Sequence, residues 1–160
     1  MKNLFDPDEV NTLIYILQTK GISYLLGTEQ PDDENVANIS SLELIQRLAA
    51  CGFPLVEHAS ISLFILHPEL APTVLVALQE SEPETAENIA VVTLATLYMQ
   101  QWWLFRLTIA LGHLPSFPET PFAFLWEERH LPPPSAGYGR DGFLALQEYQ
   151  QEKFGLPINF

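Results

Sequence analysis

Between Thr85 and Leu111 the chain carries neither glycine nor proline, and the apolar side chains of the run go nearly all the way round a helix. Pro83 stands before it, and Gly112 and Pro115 follow, which is the punctuation of a helix. The run predicts one long helix over Thr85–His113. Glu82, Glu84 and Glu87 gather around its first turn, where negative charge meets free N–H groups and the positive end of the helix dipole. At helical spacing, Val91, Tyr98, Trp102, Phe105 and Ile109 point one way and Ile89, Val92, Trp103, Leu107 and Ala110 another. Only Thr93, Thr96 and Gln100 make a narrow polar stripe. A helix apolar all round is buried, in a core or in a membrane. Gln100, Gln101 and Arg106 in mid-run, a tryptophan pair away from either end, and the lack of flanking basic residues favour the core.

The rest of the chain then reads as the packing around that helix. Its 160 residues suit a single domain, with enough surface to bury for a core of its own. A net charge of −13 repels phosphate backbones and anionic membranes, so neither nucleic acid nor membrane is expected as a partner; a basic partner is compatible. The lone cysteine, Cys51, excludes an intramolecular disulfide and reads as a small buried hydrophobe. The opening MKNLFDPDEV lacks the apolar stretch of a signal peptide, so the expected location is the cytoplasm.

Capping residues mark the other helices. Asp6-Pro7-Asp8-Glu9 reads as a capping box, followed by Val10, Leu13, Ile14 and Leu17 and a stop at Gly21. Ile22–Leu26 is a short extension or isolated strand. The acidic stretch 27–38 reads as a solvated loop; its Asp32, Asp33 and Glu34 lack the spacing of a calcium loop. Ser40 opens a second capping box, with Leu44, Ile45 and Leu48 facing inward. Leu55–Leu66 fits a strand or a helix, with helix preferred because no partner strand is evident. Pro72 starts another helix, and Glu80, Glu82, Glu84 and Glu87 make a solvated corner.

Beyond the long helix, Pro115, Pro118, Pro121 and Pro132 to Pro134 alternate with Phe117, Phe122, Phe124 and Trp126. That segment is too aromatic to be a solvated linker. It predicts an arm packed over the domain or against a second subunit, with Thr120 capping a short helix. Asp141 is the expected cap of the last helix. The fold expected is all-α: an irregular orthogonal bundle of six to seven helices around a long buried central helix, with core helices in 1–114, a Pro/aromatic-rich arm in 115–140 and a closing helix in 141–155.

Motifs that could carry chemistry are few. Arg106, a charge in an apolar helix, requires a partner, and a salt bridge to one of the many carboxylates is the expected one. Glu127-x-x-His130 has the spacing that places two metal ligands on one helical face, but a di-iron bundle needs a second such pair, which is missing. Arg106-x6-His113 returns to within about 20° of one face after two turns. This spacing is similar to the R-x4-6-H motif of the HEPN family, small all-helical domains that are often dimeric and include ribonucleases. The resemblance implies Arg106 and His113 as a catalytic pair. It departs from the family pattern where Leu107 follows the arginine, and where His113 lies beyond Gly112. Tyr98, Trp102, Trp103 and Phe105, with Phe122, Phe124 and Trp126, could instead line an aromatic pocket with Arg106 as the anchor for a small organic acid. No nucleophile elbow or phosphate-binding glycine loop is present, and no cofactor is implied. The leading expectation is a non-enzymatic interaction protein that associates with itself as a homodimer or with another protein. An Arg106/His113 ribonuclease and an acid binder are the alternatives.

Overall fold

The computed structural model describes residues 6–22, 38–136 and 139–154. The stretches around Asp32–Glu34 and Ser23–Leu26 lie outside them. Among the described residues the protein is all-α, with eight α-helices and no strand. They are α1 (Pro7–Thr19), α2 (Ser41–Ala50), α3 (Pro54–Leu66), α4 (Ala71–Glu80), α5 (Pro83–Trp102), α6 (Leu104–Leu111), α7 (Ala123–Glu128) and α8 (Gly139–Phe154). Single 3-10 turns at Pro68–Leu70, Thr120–Phe122 and Pro134–Ala136 complete the path.

Local chemistry accounts for most of the boundaries. Proline opens α1, α3 and α5, where its missing N–H costs nothing. Asp6 caps α1 by accepting a hydrogen bond from the Asp8 N–H at 2.9 Å, and Ser40 caps α2 by accepting from the Glu43 N–H at 3.1 Å. Glu9 does not turn back to close a box. Its carboxylate is gripped by Arg47 of α2, whose Nε donates to it at 3.0 Å and whose other terminal nitrogen also pairs with it, tying α1 to α2. The ambiguous Leu55–Leu66 stretch is helical, and its inward residues Val56, Ala59, Ser60, Leu63 and Phe64 follow the helical period.

Helix α5 is covered by α2, α3, α4, α7 and α8. Its polar stripe faces inward rather than out, and is satisfied there. Thr93 and Thr96 donate their hydroxyls to the carbonyls of Ile89 and Val92, one turn back, at 2.7 and 2.8 Å. Gln100 clamps the backbone of Phe117 from both sides, donating to its carbonyl at 3.1 Å and accepting from its N–H at 3.0 Å. The Phe117 ring then stacks on Phe64 and on Phe122, with centroids 5.4 Å apart in each case. Phe122, Leu125 and Trp126 are buried as well, so the aromatic arm is packed over its own domain. Tyr98, wholly enclosed, donates its hydroxyl to the Pro132 carbonyl at 2.7 Å and anchors the proline run.

Three expectations are corrected. The long helix Thr85–His113 is two helices, broken at Trp103 (φ −106°, ψ 22°) without glycine or proline. The break falls where cover ends: Trp102 meets Phe143 of α8 with centroids 5.7 Å apart, whereas α6 beyond it contains no buried residue. Thr120 makes no side-chain cap; residues Thr120–Phe122 form a 3-10 turn leading into α7. The last helix begins at Gly139, with Asp141 inside its first turn. Its start is set by close packing on α5: a Cβ at Gly139 would sit 2.4 Å from the Trp102 nitrogen, and one at Gly142 would sit 2.3 Å from the Tyr98 ring. Gly142→Ala should therefore destabilise the fold by ~2 kcal/mol or more, because the rigid, enclosed tyrosine has nowhere to move. Urea denaturation followed by circular dichroism measures this; an unchanged midpoint would refute the close approach.

Candidate functional site at helix α6

Helix α6 differs from the rest of the protein in what it leaves uncovered. Residues Leu104–Leu111 are apolar apart from Arg106 and Thr108, and Thr108 returns its hydroxyl to the Leu104 carbonyl at 2.7 Å. Phe105 is 78% exposed, Ile109 68% and Leu114, just past the helix, 64%. Phe105 and Ile109, four residues apart, form one ridge. The opposite side of α6 lines an open groove. Leu107, Ala110 and Leu111 face Ser62, Ile65 and Leu66 of α3, with Gly21 and Ile22 at one end, around a cavity of about 280 Å³. No aspartate or glutamate occurs between Asn88 and Pro118, in a chain that has 20 acidic residues.

Gly112, with φ +77°, ends α6 in the left-handed conformation that glycine adopts freely. This has a direct consequence for the Arg106/His113 pair. His113 lies past that reversal, exposed, with Nδ1 3.0 Å from the Leu114 carbonyl oxygen. The helical register that would align it with Arg106 stops at Leu111. Nor does Arg106 have the carboxylate partner expected of it. Among the described residues it forms no ion pair; it is exposed, with its guanidinium 4.8 Å from the centre of the Trp103 ring. An arginine on the surface needs no neutralising partner, and the aromatic face supplies a weak one.

The proposed aromatic pocket is likewise distributed. Trp102 and Trp103 tilt against each other with centroids 5.4 Å apart, but Tyr98 lies within the core while Arg106 lies outside it. Glu127 lies in the last turn of α7 and is exposed, as is His130, which sits in the turn beyond the helix with a positive φ of 55°. The two are therefore not on a common helical face. Among the described residues no three His, Cys, Asp or Glu side chains come together as a metal site. Burial pushes the Cys51 thiol up, nearby Glu9 and Glu57 push the same way, and a backbone hydrogen bond at Phe53 only partly opposes them. The thiolate that nucleophilic chemistry needs is disfavoured.

The charge held inside the protein is Arg129, which sequence reasoning passed over. It donates to Glu87 at 2.6 Å and to the Leu125 carbonyl at 3.1 Å, while Tyr149 of α8 donates its hydroxyl to the other Glu87 oxygen at 2.9 Å. Glu87 thus belongs to an interior cluster joining α5, α7 and α8, not to the solvated corner formed by Glu80, Glu82 and Glu84. Desolvation works against the Arg129 charge, but the hydrogen bond and attraction of Glu87 outweigh it and hold the guanidinium protonated. The only sequence signal was an arginine at the end of an otherwise aromatic segment, since its partners are distant in the chain.

No protein-family model matches this chain, and no curated protein or solved structure shows significant similarity to it. No single helix among the described residues is long and apolar enough to cross a membrane.

Loss of the two arginines' contacts should differ in cost. Glu87→Ala strands the Arg129 charge and should cost ~3 kcal/mol. Arg106→Ala removes only a surface cation–ring contact and should cost about 1 kcal/mol or less. Thermal denaturation of both variants beside the wild type reads the contrast; equal losses would place Arg106 in the framework of the fold.

Proposed function

We propose that this chain is a non-enzymatic interaction protein that associates with further copies of itself through α6. The observation that carries the reading is a whole helix without a buried residue, presenting Phe105 and Ile109 to solvent. Exposed apolar surface of this contiguity marks contact sites in soluble proteins. Two chains of net charge −13 repel each other, and the exposed segment 102–114 around α6, which carries no carboxylate, is a place where they can approach. The acidic remainder keeps the association limited to that face.

The expected outcome is a mass above 18.0 kDa for the wild type by light scattering on a size-exclusion column. Added salt should strengthen the association, because it screens the repulsion and leaves apolar contact intact. Phe105→Asp combined with Ile109→Asp should run as a monomer with an unchanged circular dichroism spectrum, since both side chains are exposed. A wild type that stays monomeric at high concentration and high salt would overturn the proposal.

A further inference from the structure

We propose that α6 is a hinged element: it turns about Trp103 between the bent position it takes beside α3 and an extended position in which it continues the axis of α5. The motion lies within one chain and is independent of association between copies.

The torsions of Trp103 (φ −106°, ψ 22°) interrupt the helical ladder, yet no glycine or proline from Thr85 to Leu111 forbids a helix there. The ladder holds on either side of the joint. The Trp103 N–H donates to the Met99 carbonyl at 2.9 Å, and the Trp103 carbonyl accepts from the Leu107 N–H at 2.8 Å. No side chain caps the start of α6, so the bend leaves backbone groups at the joint without a capping partner. Bringing α6 into line with α5 closes the ladder through them. The contact with α3 opposes this, and that contact is thin. Leu107 and Leu111 are half-buried and Ala110 is exposed. Across the open groove of about 280 Å³, Ile65 is the buried member of the α3 wall, and Leu66 is 40% exposed. Ladder bonds regained and half-wet side chains released are terms of the same size. That balance is the condition for two populated positions. The chain beyond α6 leaves room for the turn. Gln100 holds the backbone of Phe117, so residues 101–116 leave α5 and return to it at one level. Extension carries Leu111 roughly 17 Å along the axis past Gln100. The six steps from Leu111 back to Phe117 reach roughly 20 Å, so the clamp on Phe117 need not open. Gly112, already in the left-handed region, lies at the turning point and takes up the change of direction. The aromatic arm and α8 keep their places while α6 moves.

Electron–electron double resonance reads the two positions. Spin labels go on Lys20→Cys, beside the Gly21 end of the groove, and on Ile109→Cys of α6, both exposed, in a Cys51→Ala background. Dilution with unlabelled protein removes distances between copies. Two distances are expected, a shorter one from the bent position and a longer one from the extended position. Leu107→Asp weakens the α3 contact and should raise the ratio of long to short about tenfold. Ala110→Asp, at an exposed position, serves in the same way if Leu107→Asp does not fold. Trp103→Gly should lower the ratio about fivefold, because glycine disfavours a continuous helix. A single distance in the wild type that splits in Leu107→Asp or Ala110→Asp supports a hinge held mostly bent. One narrow, unchanged distance in the wild type and in both aspartate variants overturns the proposal. So does a broad distribution with loss of helical circular dichroism, since α6 then melts instead of turning.

Discussion

The middle of helix α5 is enclosed by its neighbours, and the polar atoms buried there must find partners inside the protein. That requirement organises the structure around it. The two threonines satisfy themselves along the helix, and Gln100 reaches out to hold the backbone at Phe117. Tyr98 holds the backbone at Pro132. Glu87 collects Arg129 from α7 and Tyr149 from α8. Each of these contacts fastens a different part of the segment that follows α6. The irregular arm of prolines and aromatics keeps a defined course because α5 supplies it with hydrogen bonds at three heights.

Two arginines show what a linear reading of the chain can and cannot see. Arg106 draws attention because its neighbours in sequence are apolar, and apolar neighbours suggest burial. Burial, however, depends on what packs from elsewhere, and nothing packs over that side of α6. Arg129 sits among aromatic residues near a proline run, in a context that reads as irregular surface, yet α5 and α8 close over it. The helices themselves were legible wherever a cap, a proline or a helical period marked them: α1, α2, α3 and the start of α5. The break at Trp103 was not, because it has no residue that forbids a helix; it reflects the loss of packing partners, a property of the assembled fold. The start of α8 was misplaced for a related reason. Asp141 has the chemistry of a cap, but two glycines that look permissive are in fact selected by the close approach to α5.

The exposed apolar surface was only partly legible. An apolar contact patch follows from the abundance of aromatic residues in a chain with few charges, and the exposed ridge agrees with that composition. Its position does not follow, because the residues that form it were assigned to the interior of a single long helix. The spacing patterns Arg106/His113 and Glu127/His130 are interrupted at the same kind of point. Both needed the helical register to continue through His113 or His130, and in both places the backbone leaves the helix first, at Gly112 and at Arg129. Spacing motifs carry geometric meaning only within an unbroken element.

The glycine contacts of α8 on α5 bear on how the protein is made. The side of α5 that carries Tyr98 and Trp102 emerges from the ribosome well before the helix that covers it. Until residues 139–142 arrive, that side presents large aromatic rings to water, next to a helix that stays uncovered even in the finished fold. The growing chain thus exposes the most apolar surface just before it closes.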